Sequence, residues 1–129
     1  MTIESKKLLF VENKHDAWTL LLDVFCKKSG FELFIAGTGF EGLKILERVP
    51  EISIVISDYN LTDMDGVVFL TDVFTLWPRT LRVLRCDVGD IDSLGPAIKS
   101  GTINKVINRS CNTLHQLYPY LAADISHGK

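Results

Sequence analysis

Short, continuously apolar runs alternate with helically spaced segments along the whole chain, and that alternation limits the fold more than any other feature. The apolar runs fall at 7–11 (KLLFV), 32–36 (ELFIA), 52–57 (ISIVIS), 81–86 (LRVLRC) and 104–107 (NKVI). Runs of this length with few polar breaks suit strands covered on both faces. Between them, 17–28 has helical spacing, with Leu21, Val24 and Phe25 as its expected inner side and Gly30 as its stop. The segment 38–49 opens on Thr38 and Glu41, a capping-box pair, and stops before Pro50. The segment 66–76 carries Val67, Leu70 and Phe74 and stops before Pro78. A fourth helix is predicted within 90–99 and a fifth within 113–125. Repeated β-α units joined by right-handed crossovers build a parallel sheet with helices on both faces. Ligands of such sheets sit at the carboxyl ends of the strands.

Composition narrows the function classes. The 129 residues make one domain's length, large enough to bury a core without staples. With 47% hydrophobic residues and a net charge of −2, the chain is neither a disordered tail nor a basic nucleic-acid arm, so no direct nucleic-acid contact is expected. No apolar run approaches bilayer length, so no membrane association is expected. Cys26, Cys86 and Cys111 are odd in number and widely spaced, which fits neither a disulfide framework nor a Cys-x-x-Cys metal site. A reducing, cytoplasmic setting is the expectation. His15, His115 and His127 are too scattered to suggest a metal site.

The chemistry gathers at the strand ends. Strand one runs into Glu12-Asn13, strand three into Asp58, strand four into Cys86-Asp87, and strand five into Asn108-Arg109. A parallel sheet brings these ends together, although they are far apart in sequence. Oxygen ligands without paired His or Cys suit a hard cation such as Mg²⁺. A carboxylate beside such an ion and a fixed cation can attack phosphorus, because both charges stabilise the transferring group. A lone Asp58 could simply start a turn. Acids and a base gathered from separate strand ends favour a site.

These residues resemble a response-regulator receiver domain of two-component signalling over about 7–121, with 124–129 as a tail or linker start of the single domain 1–129. The segment 54–66, IVISDYNLTDMDG, is the most specific match. The resemblance implies a flavodoxin-like, doubly wound five-stranded parallel sheet of order 2-1-3-4-5. It implies Asp58 as phosphoacceptor, and Mg²⁺ held by Glu12, Asn13, Asp58 and the carbonyl of Asn60. Cys86 falls at the family's Ser/Thr, and Arg109 at its Lys. Partners implied are a histidine kinase or phosphotransfer protein, an output domain, and a second copy docked through helix four, strand five and helix five. The run AIKSGTINKVINRS is similar to receivers joined to HD-type cyclic-di-GMP phosphodiesterases.

The departures carry weight too. Asn13 stands in place of a metal-binding carboxylate, and the Cys86 thiol is a weak donor. Asp87 replaces a small residue and brings a negative charge toward any phosphorylated Asp58. Arg109 differs from Lys in reach and geometry. Ser110 replaces a proline, and Val106 replaces the aromatic that reports phosphorylation in the family. These changes motivate a rival expectation: a receiver-fold interaction module that works without phosphorylation.

Other features stay open at the sequence level. Residues 37–42, GTGFEG, match GxGxxG and open a helix, as in a dinucleotide-binding unit, but the motif follows the second strand. Pro96 and Pro119 are expected to shorten or bend helices four and five. Trp18 and Trp77 are expected to be packing residues. Arg82 is expected to reach solvent from the start of strand four, and Arg85 lies near the strand's polar end with no assigned place.

Overall fold

The computed structural model describes residues 6–14 and 16–109. Five parallel strands run β1 (Lys6–Val11), β2 (Phe31–Ala36), β3 (Ile52–Asp58), β4 (Leu81–Cys86) and β5 (Lys105–Asn108), in the order β2-β1-β3-β4-β5. The helices between them are α1 (Ala17–Ser29), α2 (Gly39–Arg48), α3 (Gly66–Leu76) and the short α4 (Gly95–Lys99). This is the expected doubly wound, flavodoxin-like sheet, and β4 has the expected bounds. The predicted fifth helix at 113–125, Pro119, Ser110, Cys111 and the tail lie outside the described residues.

Period-two alternation sorts the strand side chains onto two cores. Leu9, Val11, Val55 and Leu84 pack with Ile45 and Leu46 of α2 and Phe69, Leu70 and Val73 of α3. Leu8, Phe10, Ile54, Ile56, Val83 and Ile107 face the other way, onto Trp18, Leu22 and Cys26 of α1. The middle strand β3 is buried almost throughout, as its unbroken apolar run predicts.

Three sequence expectations change. Helix α1 buries Trp18, Leu22 and Cys26, whereas Leu21 is 49% and Val24 50% exposed. Apolar residues surround most of this helix (Leu20, Leu21 and Leu22 are consecutive), so spacing alone does not choose the inner stripe. Trp18 chooses it by packing edge-to-face on Phe10, centroid to centroid 5.1 Å. Arg82 is buried rather than solvent-reaching, as described below. The capping pair of α2 is half-formed: the Glu41 amide donates to Thr38 Oγ1, but the Glu41 carboxylate accepts from the Gly37 amide. Ahead of α4, a 3₁₀ turn spans Val88–Leu94, and Pro96 sits in the first turn of α4, where a missing N–H costs nothing. The shortened fourth helix follows from that placement.

Candidate functional site

The carboxyl ends of β1, β3 and β4 carry Glu12, Asp58 and Arg85 on the face that α1 covers. Asp58 continues the alternation of Ile54 and Ile56, Glu12 that of Leu8 and Phe10, and Arg85 that of Val83. Parallel pairing sets Asp58 directly beside Arg85 in the sheet. The Arg85 guanidinium meets Asp58 side by side: Nε donates to Oδ1 at 2.6 Å and Nη2 to Oδ2 at 3.1 Å. Such a paired geometry is the strong form of this contact. Nη2 also donates to Glu12 Oε1 at 3.3 Å and lies 3.4 Å from Asp16 Oδ2. Arg85 is 1% exposed, and its guanidinium carbon lies 5.1 Å from the Phe10 ring centre and 4.9 Å from that of Trp18.

Asp16 enters this group because it caps α1. Its Oδ1 accepts from the Thr19 amide, and the Thr19 hydroxyl reaches back to the Asp16 amide, a reciprocal cap. That cap turns Oδ2 toward Arg85. Thr19 Oγ1 also donates to Glu12 Oε2 at 2.8 Å, so Glu12 is bonded at both oxygens. Arg109 stands at the rim, 30% exposed, with Nη2 3.7 Å from Asp58 Oδ2 and 4.0 Å from Asp16 Oδ2.

The pKa shifts follow from this arrangement. Burial raises Glu12, reinforced by the neighbouring charges of Asp16 and Asp58; the Thr19 bond and Arg85 offset only part of it. Burial also pushes Asp16 upward, but the Arg85 charge and the Thr19 bonds outweigh it and leave Asp16 lowered. Burial opposes the charge on Arg85, yet the carboxylates, Asp58 first, hold its pKa above the ordinary arginine value.

The side chains of the other residues expected here make no hydrogen bond or ion pair with this network. Cys86 is buried on the opposite face, among residues that contact α3, and burial first, then Asp90 and Asp87, raises its thiol pKa. Val106 packs against that same core. Asn13, Asn60 and Asp87 are exposed. Gly66, the last residue of the specific segment, is required for a local reason: a Cβ there would meet the Asp58 carbonyl oxygen at 2.1 Å. The start of α3 therefore presses directly on the strand end that bears Asp58.

Two site residues were not identified by spacing. Asp16 reads as one more loop acid. Arg85 was legible in part, since it shares the parity of Val83 and opposes that of Cys86, which puts it on the Asp58 side once the register is known.

The receiver likeness implies Mg²⁺, and the pocket as built does not fit it. A metal site needs several oxygens converging on one point. Here the Glu12 and Asp58 oxygens converge on a guanidinium. Among the described residues, no group of three or more His, Cys, Asp and Glu is arranged to hold a metal. The GxGxxG segment is not arranged as a phosphate cradle either. The free amides of Gly39 and Phe40 at the start of α2 donate to the Asp63 carboxylate at 3.0 and 2.9 Å, so the chain's own acid occupies that anion position.

Comparison with known proteins agrees with the fold. A stretch of 76 residues, 58% of this chain and 58% of the relative, is 37% identical to a probable chemotaxis protein CheY of Rhizobium etli. A stretch of 66 residues, 50% of this chain but 13% of the relative, is 36% identical to the two-component response regulator ARR11 of Arabidopsis thaliana. The matches thus span just over half of one curated relative and a small part of the other. Among solved structures, the signal receiver domain of an HD domain-containing protein from Pseudomonas fluorescens superposes with a TM-score of 0.81 at 22% identity, covering 99% of this chain and 92% of that one. A response regulator receiver domain from Clostridium thermocellum gives 0.77 at 22%, covering 94% of each chain. No family model matches the chain. Among the described residues, no helix is long and apolar enough to cross a membrane.

Proposed function

We propose that this chain, a receiver domain of the two-component response-regulator type, signals by docking to partners and does not depend on phosphoryl transfer to Asp58. The observation that carries this reading is the buried, side-by-side pairing of Arg85 with Asp58. A nucleophilic carboxylate needs an accessible oxygen and room for an incoming phosphorus. Asp58 is 1% exposed, and both of its oxygens accept from Arg85. To react, it would have to release a cation that three carboxylates and two aromatic rings hold in place. The exposed Asn13 and the thiol at Cys86 point the same way, since neither supplies the charge or the hydroxyl that the family uses.

The partners in this reading are a sensor kinase or phosphotransfer protein that docks without transferring phosphate, and an output domain, of which an HD-type domain is one candidate. The phosphoacceptor reading keeps one observation in its favour. Arg109 stands at the open rim 3.7 Å from Asp58, where a cation could meet phosphoryl oxygens.

Phosphate-affinity gels separate the two readings. The wild type and Asp58→Ala are incubated with acetyl phosphate and Mg²⁺, and then with a phosphorylated phosphotransfer protein. The expected result is an unshifted band for both proteins under both conditions. A wild-type band that shifts, and loses the shift in Asp58→Ala, makes Asp58 a phosphoacceptor and overturns the proposal.

A further inference from the structure

We propose that Arg85 is the resident cation of the acidic pocket, a guanidinium in the place where receiver domains hold a divalent ion, and that the domain is therefore independent of metal. This deepens the reading above and rests on it for the role of the pocket in signalling.

One guanidinium reaches three carboxylates: Asp58 at 2.6 and 3.1 Å, Glu12 at 3.3 Å and Asp16 at 3.4 Å. Those acids come from three separate segments, the ends of β1 and β3 and the cap of α1, so the cation ties three pieces of the fold together. Glu12 and Asp58 are buried, Asp16 is partly exposed, and acids brought this close need a counter-charge. Arg85 supplies it from within the chain. Arg109 contributes only from the rim, at 3.7 and 4.0 Å.

Arg85 is also fixed more firmly than a soluble ion. It lies on β4, which is paired to β3 on one side and β5 on the other. Its planar group is walled by Phe10 and Trp18, where an arginine gains from ring faces that a hydrated ion cannot use. A divalent ion entering the same oxygens would have to displace this group or sit against its charge in a poorly solvated space.

The inference predicts an exchange of cations. When Arg85 is removed, Glu12, Asp16 and Asp58 are left close together with only the rim cation Arg109 near them, and a hard divalent ion should become their best available partner. The experiment uses the full chain and titrates MgCl₂ and MnCl₂ by calorimetry, with thermal melting at millimolar Mg²⁺ as a second readout. For the wild type, the expected result is no saturable heat and an unchanged melting temperature. For Arg85→Met, the expected result is saturable binding and a rise in melting temperature of about 5 °C with Mg²⁺, lost again when Asp58→Asn is added.

Saturable wild-type binding that Asp58→Asn abolishes overturns the inference. A folded Arg85→Met that gains no binding overturns it as well, because the acids would then not form a cation site. If Arg85→Met does not fold, Glu12→Gln combined with Arg85→Met removes one of the unpaired charges and is judged by the same criteria. The measurement reads cation binding alone, so its failure is distinct from a positive phosphorylation gel, which bears on the preceding reading.

Discussion

Strand β4 carries two buried arginines three residues apart, and they are held in opposite ways. Arg85 faces the α1 side and meets three carboxylates. Arg82 faces the α3 side, with its guanidinium carbon 4.3 Å from the Phe74 ring centre, and meets no carboxylate among the described residues. It donates instead to backbone carbonyls: Thr80 at 2.6 Å, Gly101 at 2.8 Å, Thr102 at 3.0 Å and Pro78 at 3.2 Å. The pKa shifts diverge accordingly. Burial lowers Arg82 unopposed, whereas burial of Arg85 is overcome by its acids. One arginine staples the amino end of the strand to the turn before β5. The other neutralises a charged pocket at the carboxyl end. Two equally buried arginines on one strand can therefore be structural or site-forming, depending on whether their partners are neutral dipoles or charges.

Breaking the charged side should cost the most. Arg85→Met leaves the buried acids with only Arg109 at the rim, and a loss of about 3–5 kcal/mol is expected in urea unfolding at neutral pH without divalent ions. Adding Asp58→Asn should return part of that loss, with a coupling of about 1–3 kcal/mol, because the pair acts as a unit. If the two costs simply add, Arg85 and Asp58 are not paired as described.

The neutral side should break more gently. Arg82→Met leaves carbonyls short of a donor but strands no charge, so about 1–3 kcal/mol is expected. Removing any one pocket carboxylate should not restore that loss. Partial recovery with Asp58→Asn would merge the two arginines into one network.

The smallest effect tests the mirror image of Arg82, an anion held by backbone dipoles. The Asp63 carboxylate accepts from the Gly39 and Phe40 amides. Slight burial pushes its pKa upward, but those bonds outweigh it and leave it lowered. A lowered folded pKa contributes stability above the unfolded value, and that contribution is lost as pH falls through the folded one. Asp63→Ala should therefore cost about 1 kcal/mol near neutral pH, a typical capping value. The gap between variant and wild type should close in acid melts as the wild-type carboxylate becomes protonated. A gap that stays constant into strong acid would mean that the charge on Asp63 contributes nothing.

Much of this organisation was legible in the chain. Apolar runs bounded by polar or turn residues located the strands, because a strand buried on both faces cannot tolerate frequent polar side chains. The proline and glycine stops located the helix ends, since backbone geometry there is local. Glu12, Asp58 and Arg109 could be grouped because parallel topology brings the carboxyl ends of the strands to one edge.

The inner stripe of α1, the burial of Arg82 and the place of Arg85 were settled only by tertiary structure. Each depends on partners distant in sequence: Phe10 for Trp18, Thr102 for Arg82, and Glu12 and Asp58 for Arg85. Local patterning records how a residue relates to its neighbours along the chain. The free energy of a buried charge is set by whatever the fold packs around it, and only the assembled sheet supplies that.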